Sequence, residues 1–284
     1  EKVVVSWNGL MLAAFAEAAR VLDGGGDLSD RAARYREVAE RNADFLLREL
    51  RTDRGRLWHV CKGGEADVPG FLEDYAHLIE GLLALYQTTF APRWYEAAAE
   101  LAEEMVAHFR AEAGFYDTAD DAEDLVVRPR ELQDNAVPSG NAMAVTVLQK
   151  LARFGGGSVT GEETEAQRAD YETVARRSLA SMDDLPGNHP RAFGQWLVAL
   201  DDALATAVEV AIIGAAGAQG TQALLEVAQE GYHPHRLVAV GTGDVPSLLA
   251  YRTQVDGKAT AYVCRNHVCL DPIVAPDSVQ ERLA

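Results

Sequence analysis

The sequence predicts a mainly α-helical protein: an α/α toroid of the (α/α)6 type, incomplete in this chain, with a small C-terminal α/β subdomain. Three observations predict it. A helix apolar nearly all round, followed by a charged amphipathic one, recurs as a pair at 7–50, 71–110 and 139–182. A short polar residue returns at almost the same place in each apolar helix, since Asn8, Asp74 and Asn141 are spaced by 66 and 67 residues. Beyond residue 205 the pattern changes to short β-branched runs around one helical stretch. A helix apolar on every side must be surrounded by protein, whereas one with a polar face can border water. Alternating the two builds an inner ring of buried helices inside an outer ring of amphipathic ones, with the inner-helix ends around a central funnel.

The elements follow in order. Lys2-Val3-Val4-Val5 reads as β-like, and the first inner helix covers 7–22, interrupted only by Asn8, Glu17 and Arg20 and ended by Gly24-Gly25-Gly26. Asp30 is the expected N-cap of the amphipathic helix to about residue 50, with Tyr35, Val38, Ala39, Phe45 and Leu46 inward. The connection 51–69 carries a short strand around Gly55-Arg56-Leu57-Trp58-His59. The second pair is 71–89 and 92–110, with Pro92 in the first turn of its helix. There Glu96, Glu100, Glu103 and Glu104 lie opposite Trp94, Ala98, Leu101, Met105 and Phe109. The connection 111–137 opens with Gly114-Phe115-Tyr116-Asp117, again a Gly and then aromatics after an outer helix. The third pair is 139–154 and 162–182, split by Gly155-Gly156-Gly157, and a helix over 190–205 is the inner member of a fourth unit. Strands at 208–213, 236–240 and 259–264 around a helix at 221–230 make the α/β subdomain, giving domains at 1–205 and 206–284. Seven helices are about half of a six-hairpin ring, and half a ring exposes the apolar flanks of its inner helices. Missing N-terminal hairpins, or a second chain, are expected to complete it.

Bulk properties narrow the partners. The formal net charge of −18 argues against nucleic acid or an anionic membrane, both of which need a basic face. No apolar run reaches the 18 or so residues of a membrane span, and no signal peptide is visible. Cys61, Cys264 and Cys269 are too few for a disulfide framework and point to a reducing cytoplasm. The chain opens on Glu1 inside a β-like run and reads as a piece of a longer protein.

Four ordered motifs carry a resemblance across essentially the whole chain. They are Val5-Ser6-Trp7-Asn8-Gly9-Leu10-Met11, Pro69-Gly70-Phe71-Leu72-Glu73-Asp74-Tyr75-Ala76, Val137-Pro138-Ser139-Gly140-Asn141 and Gly257-Lys258-Ala259-Thr260-Ala261-Tyr262-Val263-Cys264-Arg265-Asn266. They resemble the C-terminal portion of the thioredoxin-domain-containing proteins related to spermatogenesis-associated protein 20. The resemblance implies an N-terminal thioredoxin-like domain and toroid half beyond this chain. It also implies a toroid similar to those of N-acylglucosamine 2-epimerases and six-hairpin glycosidases. Function on a shared fold is a property of the site.

The long connections lead into the N-termini of the inner helices, so the funnel rim is expected there. The second unit is richest: Glu73, His77 and Glu80 fall at i, i+4 and i+7, with Asp74 beside them. Polar groups on an apolar helix are costly unless they line a polar cavity or are paired. Asp74, Glu73 and His77 are therefore the candidate catalytic residues, carboxyl groups for acid/base work and a proton carrier near neutral pH. The alternative is that Asp74 caps its helix, His77 is a satisfied core histidine and Glu80 is a buried partner. Trp7 and Asn8, Trp58 and His59, Tyr116, Ser139 and Asn141 are the candidate substrate-binding residues, since an aromatic platform beside amides and hydroxyls suits a sugar ring. Phe115 and Asp117 lie on the loops that would roof the funnel, and Glu131, Asp134 and Asn135 are candidates for a second carboxylate of a hydrolase pair.

Other motifs are weak. Gly214, Gly217 and Gly220 lack dinucleotide-loop spacing, and Cys264-x4-Cys269 has no second ligand pair for zinc. A disulfide there needs Cα atoms within about 7 Å. No Cys-x-x-Cys is present, which sets aside dithiol chemistry of the thioredoxin type. No metal and no cofactor are expected. The leading expectation is a sugar epimerase or isomerase; a non-catalytic binding module attached to the thioredoxin-like domain and a glycoside hydrolase are the alternatives.

Overall fold

A computed structural model describes residues 2–23, 28–123, 126–155 and 162–283. The chain forms two compact units, one of residues 1–148 with 173–200 and one of 149–172 with 201–284. No helix is long and apolar enough to cross a membrane among the described residues.

The first unit is a row of helical hairpins. Strand β1 (Lys2–Val4) leads into α1 (Val5–Leu22), and α2 (Ser29–Glu49) returns outside it. Strands β2 (Trp58–Lys62) and β3 (Glu65–Pro69) form an antiparallel hairpin, with β1 added to β2 so that Val4 faces Val60. The second pair is α3 (Leu72–Thr89) and α4 (Pro92–Phe109); the third is α5 (Gly140–Arg153) and α6 (Glu162–Ala180). A single turn, α7 (Leu185–Asn188), precedes α8 (Gly194–Leu204), the expected inner helix of a fourth unit. The glycines expected to end the first and third inner helices fall partly outside the described residues, at 24–26 and 156–157.

Inner and outer helices differ as their sequences require. Helix α3 buries residues on every side, from Leu72 to Gln87. Helix α4 buries one face only, from Trp94 and Tyr95 through Leu101 and Met105 to Phe109. Helix α2 starts without a side-chain cap, and Asp30 sits inside its first turn, because the helix begins two residues earlier than expected.

Helix α1 departs from the all-round burial expected of it: Trp7, Met11 and Val21 are 56%, 52% and 75% exposed. They lie on the side away from α3, where α1 ends the row of described hairpins. Its other side is closely packed. A Cβ on Gly9 would lie 2.6 Å from the His77 carbonyl, and one on Gly81 would lie 2.6 Å from the Gly9 carbonyl oxygen. The two backbones therefore touch with no side chain between them. A third glycine repeats the device: a Cβ on Gly140 would lie 3.0 Å from the Glu73 nitrogen, setting the start of α5 against the start of α3. The three inner helices thus run side by side with their N-termini together. Beyond them, Trp196 of α8 is buried with Ala142, Val145, Met182 and Phe193, and its indole N–H donates to Leu132 O at 2.8 Å.

Besides the end of α5 and the first part of α6, the second unit holds a small α/β layer. Strand β4 (Val208–Ile213) is followed by α9 (Gln219–Gln229) and then β5 (Arg236–Gly241), parallel to β4. Strand β6 (Thr260–Arg265) lies antiparallel on the other side of β4, β7 (Val268–Cys269) pairs with β6, and α10 (Pro276–Leu283) closes the chain. The β-α-β reading of this region matches the elements found.

Gly9→Ala and Gly81→Ala are each expected to cost about 3 kcal/mol, the upper end of the usual overpacking range. Alanine's helix propensity, better by about 1 kcal/mol, offsets part of the clash. Urea denaturation measures it; a neutral or stabilising alanine at both positions would refute the backbone contact.

Candidate functional site

The N-terminal ends of α1, α3 and α5 carry the polar residues that the repeat singled out, and each anchors a loop. In the first unit the Asn8 amide donates to Val4 O at 2.8 Å and accepts from Asn42 Nδ2 at 3.0 Å. In the third, Asn141 Oδ1 accepts from Phe115 N at 2.8 Å while its amide donates to Glu131 O at 3.3 Å. Ser139 Oγ donates to the same Glu131 carbonyl at 3.0 Å. These residues are occupied in holding chain to chain.

The second hairpin, α3 with α4, places a carboxylate at the same position. Asp74 is fully buried and stands in the first turn of α3. Its Oδ1 accepts from Ser6 N at 3.0 Å, and its Oδ2 accepts from Phe71 N at 2.9 Å. His59 Nδ1 lies 2.9 Å from the same Oδ2. An imidazole nitrogen facing a carboxylate oxygen is the donor, which leaves Nε2 as the nitrogen for proton exchange. The Phe71 ring, edge-on to the imidazole at 5.1 Å, fixes its plane. The hydrogen bond to Asp74 raises the His59 pKa above its ordinary value, outweighing the opposing effect of burial.

Glu73 is half-buried beside this dyad. Ser6 Oγ donates to its Oε1 at 3.4 Å. Burial, then the neighbouring Asp74 charge, raises the Glu73 pKa. Donor atoms of His59, Glu73 and Asp74 lie within 4.8 Å of one another, a set that in kind suits a divalent cation. In this geometry, however, both Asp74 oxygens already face N–H groups, so the cluster is arranged around protons. Asp117 lies close by: its carbonyl accepts from Leu72 N at 2.9 Å, its Oδ2 accepts from Glu131 N at 2.8 Å, and burial raises its pKa.

The other residues marked by the sequence lie elsewhere. His77 is fully buried one turn further along α3, with Nε2 3.2 Å from Pro138 O, and burial lowers its pKa. Trp58 neighbours His59 on β2, and successive strand residues face opposite ways, so its ring is not in the cluster. Trp7 is on the exposed flank of α1 under Lys2, whose Nζ is 5.8 Å from the ring centre. Tyr116 is covered by the Arg128 guanidinium at 4.1 Å. Asp134 accepts from Ser139 N and Gln195 N, both at 2.8 Å, and Asn135 N donates to Val137 O at 3.0 Å. Helical spacing groups His77 with Glu73 and Asp74; the structure groups His59 and Ser6 with them instead. Ser6 carries no signal in a single sequence beyond its place just ahead of Asn8.

No family model matches the chain. The resemblance read from the motifs extends over nearly its full length. Over 99% of this chain it is 29% identical to spermatogenesis-associated protein 20 of Homo sapiens and to that of Rattus norvegicus. It spans 36% of the length of each of these relatives. Among solved structures it is similar to the unsaturated glucuronyl hydrolase of Bacillus sp. GL1. The TM-score is 0.47 at 16% identity, over 64% of this chain and 46% of that one.

Because the folded pKa of His59 is raised, its stabilisation is complete below its ordinary value of about 6.5 and fades as pH rises through the folded value. Urea titrations from pH 6 upward are expected to show this loss in the parent and not in His59→Gln; a parent that gains stability instead would remove the ion pair. Asp74→Ala strands two backbone N–H groups and the imidazole and is expected to cost about 3 kcal/mol.

Proposed function

We propose that the first unit belongs to a carbohydrate-active toroid whose reaction is acid/base proton transfer on a sugar, of the epimerase or isomerase kind. One observation carries the reading: His59 and Glu73 sit side by side, with Asp74 wholly committed to holding His59 and the loop before α3. His59 is then the base, acting through Nε2. Glu73 is the partner acid, its proton retained to higher pH by burial. Asp74, placed among the catalytic candidates by the sequence, becomes the residue that sets the tautomer and plane of the imidazole. His77 becomes a packing residue of the α3–α5 junction. Removal of a proton beside a sugar carbonyl and its return to the opposite face needs two such groups, one to take the proton and one to deliver it. The acidic cluster of Glu73, Asp74 and Asp117 favours an uncharged sugar over a phosphorylated one.

A second reading, glycoside hydrolysis, has one observation of its own. Glu73 and Asp117 are both half-buried carboxyl groups whose pKa values burial raises, and the Asp117 charge adds to the rise at Glu73. That is a carboxyl pair of the type hydrolases use.

Incubation of the full-length protein with unphosphorylated aldoses and N-acyl aldosamines in D2O separates the two. Proton transfer incorporates deuterium at C2, read by NMR, whereas hydrolysis releases a reducing end from a glycoside. His59→Gln and Glu73→Gln are each expected to lower exchange by about 10²–10⁴-fold, the usual contribution of a general acid or base. Asp74→Asn is expected to lower it while shifting its pH profile. Exchange that survives both His59→Gln and Glu73→Gln would remove the assignment.

A further inference from the structure

Strand β6 of the second unit carries a second chemical cluster, remote in sequence from the first. Cys264 is buried and Cys269 exposed, and the two form a disulfide across the β6–β7 pair. Arg252 points its guanidinium at both sulfurs: Nη2 is 2.9 Å from Cys269 Sγ and 3.6 Å from Cys264 Sγ. That group is fixed from behind, because Nη1 donates to the carbonyls of Leu248 and Ala250. A disulfide sulfur is neutral and a weak acceptor, so a cation clamped against it gains little in the oxidised state. Against a thiolate it gains much, since a neighbouring Arg is one of the ordinary ways of lowering a thiol pKa.

A third group faces the same pair. Glu209 of β4 stands opposite Cys264 in the strand register, on the same face of the sheet. It is fully buried, and its Oε1 has no hydrogen-bond partner. Its Oε2 accepts from His267 N at 3.3 Å. An orphan carboxyl oxygen in an apolar layer is costly, and here it lies opposite the buried member of the disulfide pair.

We propose that Cys264 and Cys269 form a thiol–disulfide exchange site for low-molecular-weight thiols, with Arg252 stabilising the reduced sulfurs and Glu209 carrying protons for Cys264. In the first step an incoming thiolate attacks the exposed Cys269 Sγ. The Sγ–Sγ bond breaks, and its electron pair leaves on Cys264 Sγ, beside Arg252, which then takes a proton through Glu209. A second thiolate attacks the incoming sulfur of the mixed disulfide and releases Cys269 as a thiolate against Arg252. Two external thiolates become one disulfide, and the protein pair gains two electrons and one proton, which Cys264 carries while Cys269 remains a thiolate. Reoxidation runs the same steps backwards.

The test equilibrates the full chain with mixtures of reduced and oxidised glutathione, followed by alkylation and peptide mass analysis that keeps Cys61 separate. The pair is expected to reduce in a single two-electron transition while the helical circular dichroism stays unchanged. In Arg252→Gln the equilibrium should move toward the disulfide by about tenfold, and Arg252→Lys should restore most of it. Glu209→Gln should slow exchange about tenfold. A pair that reduces only on unfolding, or an Arg252→Gln midpoint equal to the parent's, overturns the proposal. Cys264→Ser and Cys269→Ser give an independent check should the Arg252 variants fail to fold. Cys269 is expected to hold glutathione as a mixed disulfide when left alone and Cys264 is not; equal trapping on both, or on neither, also overturns it.

Discussion

Everything at the candidate site depends on the contact between the backbones of α1 and α3. Gly9 and Gly81 face each other across it, with no side chain interposed. Helix pairs normally stand 8–10 Å apart because side chains separate them; removing the side chains at the crossing lets the axes approach more closely. Only then does the main chain at Ser6 come within 3.0 Å of the Asp74 carboxylate. The first turn of one inner helix thereby caps the first turn of the next. Gly140 repeats the arrangement between α5 and α3, so the rim is built by glycines and held by the polar residue that follows each helix start.

That arrangement explains why a fully buried carboxylate is tolerated. Burying an ionised group costs several kcal/mol unless its lone pairs are satisfied. Asp74 meets donors from three directions, two backbone N–H groups and an imidazole, and it also lies in the first turn of a helix, where the macrodipole favours a negative charge. The same three donors fix its geometry so firmly that little freedom remains for Asp74 to react. The reactive character passes outward to the two groups that touch it: His59, whose proton it retains, and Glu73, whose negative charge it repels.

The periodic features of this site were legible in the sequence, and the pairwise ones were not. Burial on all sides of α3, one-sided burial of α4, and the recurrence of Asn8, Asp74 and Asn141 follow from spacing alone, because helix geometry converts spacing into position. Phe71 N is a local capping partner of Asp74, but its other two partners lie 68 and 15 residues away in sequence, and no local rule connects them. His77 illustrates the difference. It shares a helical face with Glu73, as the i, i+4 spacing requires, yet one turn deeper its imidazole meets the Pro138 carbonyl and its backbone carbonyl lies against Gly9. His59 carried no periodic signal, since it sits on a five-residue strand whose role is set by what β2 packs against. Trp7 failed in the opposite sense: its place on an apolar helix implied burial, but α1 ends the described row, and the side it occupies has no neighbour there.

Why only the second of three equivalent positions carries a charge has a physical answer in the partners. Asn8 meets an amide and a carbonyl, and Asn141 meets a backbone N–H on one side and a carbonyl and a carboxylate oxygen on the other. Each needs both a donor and an acceptor, which an amide supplies and a carboxylate does not. The Asp74 position meets donors only, and one of those donors, His59, can itself become charged. A carboxylate is the group that satisfies all three, and an amide there would turn two N–H hydrogens toward donors. The single negative charge in the repeat is thus tied to the single histidine that faces it. The two belong to one device, which neither of the neutral units contains.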